Sequence, residues 1–143
     1  MTPADVASAF IHAVAWGEHH DVWSLLGREG RHSVVRIATN RGLDPAVAAR
    51  LRDGTALPAE RDVFLADLVN GLRNDLIGID LDTLGFVDDP APEPDRCRVI
   101  LTTPMPAALD PAGGLPVASV ELALEGDRWR VERLLPRPGS WPQ

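Results

Sequence analysis

The feature that most constrains this chain is a change of hydrophobic period close to residue 76. Upstream of it, apolar residues recur at helical spacing. Val6, Ala9, Phe10, Ala13 and Val14 make one stripe, and Phe64, Leu65, Leu68, Val69 and Leu72 make another. Downstream they alternate. "RCRVILTT" sets Cys97, Val99 and Leu101 against arginines and threonine, and "VASVELALEGDRWRVERLL" holds two alternating runs on either side of Gly126-Asp127. A helical half followed by a strand half has to bury its stripes against each other, which makes the fold class α+β. The expectation is four to five N-terminal helices on one face of a curved, four-stranded antiparallel sheet. Residues 1–135 then form one domain, and "PRPGSWPQ" over 136–143 is an irregular tail.

Local chemistry punctuates both halves. Thr2-Pro3 with Asp5 is a helix start: a hydroxyl N-cap, proline at the first helical position and an acid in the first turn. Gly17 is placed to end that helix. A short second helix carries Val22, Trp23, Leu25 and Leu26 and stops near Gly27, and a third over about 29–41 leads to Gly42. Asp44 and Pro45 open a fourth that Gly54 closes, and Pro58 opens the longest, to about Asn74. "LIGIDLDTLGFV" alternates Ile77, Ile79 and Leu81 against Gly78, Asp80 and Asp82 and is predicted as the first strand. "DDPAPEPD" is a connection, "PMPAALDPAGGLP" a long irregular loop, and Gly126-Asp127 a tight hairpin turn.

Composition narrows the partners. With 143 residues, 45% of them hydrophobic, the chain is long enough to bury a core without staples. A net charge of −7 disfavours nucleic acid and anionic membranes, and no apolar run approaches the roughly 18 residues a membrane span needs. One cysteine excludes an internal disulfide, and "MTPADVASAF" lacks the basic start of a signal peptide, so a cytoplasmic protein is expected. All 14 non-histidine basic residues are arginine, and there is no tyrosine. Schiff-base chemistry through lysine and any mechanism with a tyrosine proton donor are therefore excluded. The arginines are uneven: residues 28–61 carry seven against four acids, a local +3, which leaves −10 for the rest. Lacking interleaved aromatics, that stretch reads as a solvated helical surface able to meet an acidic partner or a second subunit.

"AVAWGEHHDVWSLL" near the start and "EGDRWRVERLL" near the end together resemble the nuclear transport factor 2-like superfamily, which includes the polyketide-cyclase-like proteins. The resemblance covers the first thirty and the last forty residues. It implies a cystatin-like α+β cone, a curved antiparallel sheet wrapped on a long helix around an apolar pocket, with dimers through the outer sheet face. It does not imply one function. The steroid-isomerase, epoxide-hydrolase and scytalone-dehydratase branches rely on tyrosines, so their mechanisms do not carry over.

Two functional expectations follow. One is a small domain, homodimeric, that binds a small apolar or weakly anionic ligand in the cone or serves as an interaction module, with no catalysis assigned. The other is a cofactor-independent cyclase or isomerase with a His or Asp base. His12 is the candidate base, sharing a helix face with Trp16 at i+4, although the apolar stripe leaves position 12 out. Arg133 is the candidate anion-binding group, since strict alternation puts it on one face with Trp129, Val131 and Leu135, and Trp129 and Trp16 are the other candidate ligand-binding residues. Trp16 and Trp23 are expected to pack across the Gly17 corner. His19 and His20 leave a helix about 100° apart, so no shared metal is expected there, and no cofactor elsewhere. Asp21 suits a first-turn role. Asp80 and Asp82 form a same-face pair on a solvated strand face, and Cys97 reads as core.

Overall fold

The structure, a computed structural model, describes residues 1–104 and 114–136. Among the described residues five helices precede four strands: α1 Pro3–Trp16, α2 His19–Leu25, α3 Arg28–Asn40, α4 Pro45–Asp53, α5 Pro58–Asp75, β1 Gly85–Pro90, β2 Arg96–Thr103, β3 Leu115–Glu125 and β4 Arg128–Leu135. The strands form one open antiparallel meander in the order β1-β2-β3-β4. The helical half therefore packs with a four-stranded sheet, an α+β fold. Among the described residues no helix is long and apolar enough to cross a membrane.

The caps form where the residues place them. Thr2 Oγ1 accepts from the Asp5 N–H and the Asp5 carboxylate accepts from the Thr2 N–H, a reciprocal capping box. Gly17 ends α1 at φ 71°, where a side chain would be strained. Asp44 caps α4 by accepting from the Ala46 N–H. The Glu60 carboxylate reaches back to the Leu57 N–H at the start of α5.

The main core lies between α1 and the sheet. Val6, Phe10, Ile11 and Val14 of α1 meet Val99 and Leu101 of β2, Val120 and Leu122 of β3 and Val131 of β4. A smaller cluster of Val35, Ala48, Leu51, Phe64 and Leu65 joins α3, α4 and α5. The link between α2 and α3 runs beside the open edge of β4, where the Gly27 N–H donates to the Val131 carbonyl at 2.9 Å. That contact blunts an exposed strand edge.

Three expectations are corrected. The first strand begins at Gly85, not at Ile77. The segment before it turns at Gly78 (φ 85°), and the Asp80 carboxylate accepts from the Asp82 N–H to open a short 3-10 turn over Leu81–Thr83. Ile79 and Leu81 still pack on the core, but Ile77 is 80% exposed, so tight turns met most of an alternation that looks like a strand. Asp80 is accordingly a turn cap and not one of a pair on a strand face. Second, the strands reach into both proline-rich connections. Pro90 ends the edge strand β1, and Pro116 lies beside a bulge where β3 pairs only with β2, so neither ring removes a needed ladder bond. Most of the "PMPAALDPAGGLP" loop and the tail beyond Pro136 lie outside the described residues. Third, β4 carries a bulge opposite Glu121/Leu122: Leu122 pairs with Val131 and Glu121 with Arg133, leaving Glu132 as the extra residue. One extra residue reverses the side-chain phase. Leu134 turns toward the core, and Arg133 turns to the opposite face of the sheet.

Candidate functional site

The four residues singled out from the sequence do not converge. His12 is exposed on the outer side of α1, with its ring 5.9 Å from that of Trp16. It borders an open groove of about 660 Å³ whose polar rim is largely acidic: Asp5, Glu18 and Asp21. Trp16 is 68% exposed and does not pack across the glycine corner. It lies one helical turn after exposed His12, on the outer face of α1, and Trp23 instead meets Phe64 edge-on at 5.8 Å. Trp129 is half-buried against the main core. Arg133, 64% exposed, pairs through Nε with Glu121 Oε2 at 3.2 Å on the outer sheet face. That face also holds Arg98, buried to 2% exposure and 3.3 Å from Glu121. His12 and Arg133 thus occupy opposite outer faces of the helix–sheet sandwich, and the space between them is filled by core side chains. Cys97 is buried as expected, and burial pushes its thiol above the ordinary cysteine range.

A more concave feature lies at the corner of α2, α3, α4 and the β3–β4 hairpin. This cleft of about 430 Å³ is lined by Trp23, Leu26, Val35 and Leu51 on its apolar side. Arg28, Arg31, Arg52, Arg130 and His32 stand against only Asp53 and Glu125 on its polar side. Gly30 allows α3 to lie against β4, because a Cβ there would sit 2.6 Å from the Val131 carbonyl oxygen.

Two of the four arginines are already engaged. Helix α2 has no basic residue in its last turn, and its C-terminal carbonyls need donors. Arg31 supplies them from α3, donating from Nε and Nη2 to the Trp23 carbonyl at 3.1 and 2.9 Å, with its guanidinium 5.0 Å from the Trp23 ring centroid. Arg130 donates from β4 to the Ser24 carbonyl at 2.6 Å. Burial, then the neighbouring Arg130 charge, holds the Arg31 guanidinium below its usual value, and Glu125 opposes them. The Glu125 carboxylate in turn accepts from the Arg28 N–H at the start of α3, so a helix N-terminus here already binds a carboxylate. Arg73 treats α1 as Arg31 treats α2, donating to the Val14 and Ala15 carbonyls at 2.9 and 2.7 Å. Arg28 and Arg52 remain: among the described residues neither guanidinium has an ion-pair partner, and both border the cleft.

Reasoning from the sequence missed this cleft. The local excess of arginine over 28–61 was the available signal, but Arg130 and Glu125 come from the far end of the chain.

The other grouping missed is at the start of α2. His19, His20 and Asp62 bring one ligand atom each to within 4.8 Å of one another. The expected divergence of the two histidines is corrected here. The 100° between neighbours separates Cβ directions, while exposed side chains can lean back together, and these rings stand 4.5 Å apart. Compared with known proteins, the chain matches no family model, no curated protein and no solved structure.

Proposed function

We propose that the protein is a binding module that takes a small anion with an apolar body in the cleft between α2, α3, α4 and the β3–β4 hairpin. The observation that carries this is the pairing of an apolar wall, Trp23, Leu26, Val35 and Leu51, with two arginines, Arg28 and Arg52, that have no ion-pair partner among the described residues. A carboxylate or phosphate fits that rim because a guanidinium offers two parallel N–H donors. A chain of net charge −7 that keeps a cationic cleft concentrates anions there more effectively than a uniformly charged surface does. Arg31 and Arg130, tied to helix carbonyls, hold the walls and do not have to reorganise when a ligand enters.

The test is titration of the full chain with benzoate, citrate and phosphate at low salt, followed through amide and indole N–H shifts. Saturable shifts of the Trp23 indole and the α3 N-terminus are expected, lost in the Arg28→Ala/Arg52→Ala double variant and kept in His12→Ala. Shifts that survive the double variant, or that are spread evenly over all arginines, would overturn the proposal.

A further inference from the structure

The His19–His20–Asp62 cluster shares no residue with the lining of the anion cleft. His19 opens α2, His20 follows it, and Asp62 stands in the second turn of α5, 42 positions further along the chain. His20 Nε2 is 3.2 Å from Asp62 Oδ1, and His19 Nε2 is 4.0 Å from the same oxygen. His19 Nδ1 lies 3.4 Å from the Gly17 carbonyl oxygen. A carbonyl can only accept, so Nδ1 carries the proton in the neutral ring and Nε2 presents a lone pair toward Asp62. A lone pair and a carboxylate oxygen that face each other leave a position suited to a cation. A histidine whose far nitrogen is held by a backbone carbonyl is also the usual outer arrangement of a metal-ligating imidazole.

From this we propose that His19 Nε2, His20 Nε2 and the Asp62 carboxylate bind a zinc-class divalent cation, with water completing the coordination. The ligand types select the metal. Two imidazoles and one carboxylate suit zinc, cobalt, nickel or copper, whereas calcium and magnesium call for oxygen ligands throughout. The dimensions fit as well. Tetrahedral coordination at zinc–ligand distances near 2.05 Å puts ligand atoms about 3.3 Å apart. The His20–Asp62 pair already stands at 3.2 Å, and His19 has to close from 4.0 Å. The His19 side chain is 33% exposed and those of His20 and Asp62 more than half exposed, so that movement is a rotamer adjustment at the surface. The cation would pin α2 to α5 and close a long loop between the two helices.

The competing account is a simple surface ion pair between His20 and Asp62, with His19 a bystander. The two differ at His19. The experiment is titration of the full chain with Zn²⁺ by calorimetry, and with Co²⁺ by visible absorption, in the wild type and in the His19→Ala, His20→Ala, Asp62→Asn and His12→Ala variants. A one-to-one complex is expected, with a Co²⁺ ligand-field band and a Tm that rises with zinc concentration. His19→Ala, His20→Ala and Asp62→Asn should each weaken zinc binding at least tenfold, and His12→Ala should leave it unchanged. An absence of binding at micromolar zinc, or zinc affinity unaltered in His19→Ala, overturns the proposal. Circular dichroism of each variant checks that the loss is local.

Discussion

Beneath α1, the sheet is met by Val6, Phe10, Ile11 and Val14, and the cluster they complete draws residues from α1, α2, α5, β2, β3 and β4. At the corner of α3, α4 and α5 the second cluster contains no buried strand residue and is much smaller. Its surroundings are finished by charge: Arg50 of α4 pairs with Glu60 of α5, and Arg31 of α3 is fixed to the Trp23 carbonyl. The difference shows where this fold has room for function. Apolar side chains from the helices and the sheet fill the first region. The second region is too small to be closed by apolar contact alone, so polar links span it and a cleft opens beside them. The cost of a substitution should accordingly follow volume in the first region and partnership in the second.

The largest expected effect is in the main core. Phe10 is fully buried, and Phe10→Ala should cost about 3–5 kcal/mol in urea unfolding, through lost transfer energy and the cavity left behind. A cost below about 1.5 kcal/mol would mean that this core is loosely packed, which would break the contrast.

A smaller effect tests the seam between the two regions, using two helical glycines. At Gly71 in α5 an added Cβ meets nothing within 4 Å, so Gly71→Ala should stabilise by about 0.5–1 kcal/mol through helix propensity. At Gly30 in α3 the same Cβ meets the Val131 and Glu132 carbonyl oxygens at 2.6 and 3.1 Å, both backbone atoms that cannot simply rotate away. Gly30→Ala should therefore destabilise by about 1–3 kcal/mol despite the same propensity gain. It should also perturb the cleft residues Arg28 and Arg31 in an NMR amide map. Equal responses at the two glycines would show that the α3–β4 approach is not close.

What was legible in the sequence was what neighbours decide. The Thr2-Pro3-Asp5 start, the Asp44-Pro45 start, the Gly17 and Gly54 stops and the Gly126-Asp127 turn all formed, because each is a bargain between residues a few positions apart. What was not legible depends on pairing across the chain. Period-two counting puts Arg133 with Trp129 and Val131, and only the partner strand shows that Glu132 is an extra residue that reverses the phase. Alternation over Ile77, Ile79 and Leu81 does not distinguish a strand from turns that bury two of the three. The cleft needs Arg130 and Glu125 brought to α3, and the histidine pair needs Asp62. No spacing within one segment encodes either.

The smallest effect separates the regions by pH. Hydrogen bonding from Arg50, then from the Leu57 N–H, holds the Glu60 carboxyl below the usual carboxylate range. A folded-state value lower than the unfolded one means that the unfolded chain takes up the proton first. Glu60 therefore contributes stability above the ordinary carboxylate value, and that contribution is lost as pH falls through its folded-state value. Glu132 works in the opposite direction, since burial raises its carboxyl in the folded state, so the pH dependence of the wild type alone mixes the two. The difference between wild type and Glu60→Gln isolates the corner. In urea unfolding the variant should be less stable at pH 7, and the deficit should shrink as pH falls below the ordinary carboxylate range. The Phe10→Ala deficit, carrying no titratable group, should stay constant over the same range. If the Glu60→Gln deficit were equally flat, the α4–α5 link would be one of packing, and the corner would be built like the main core after all.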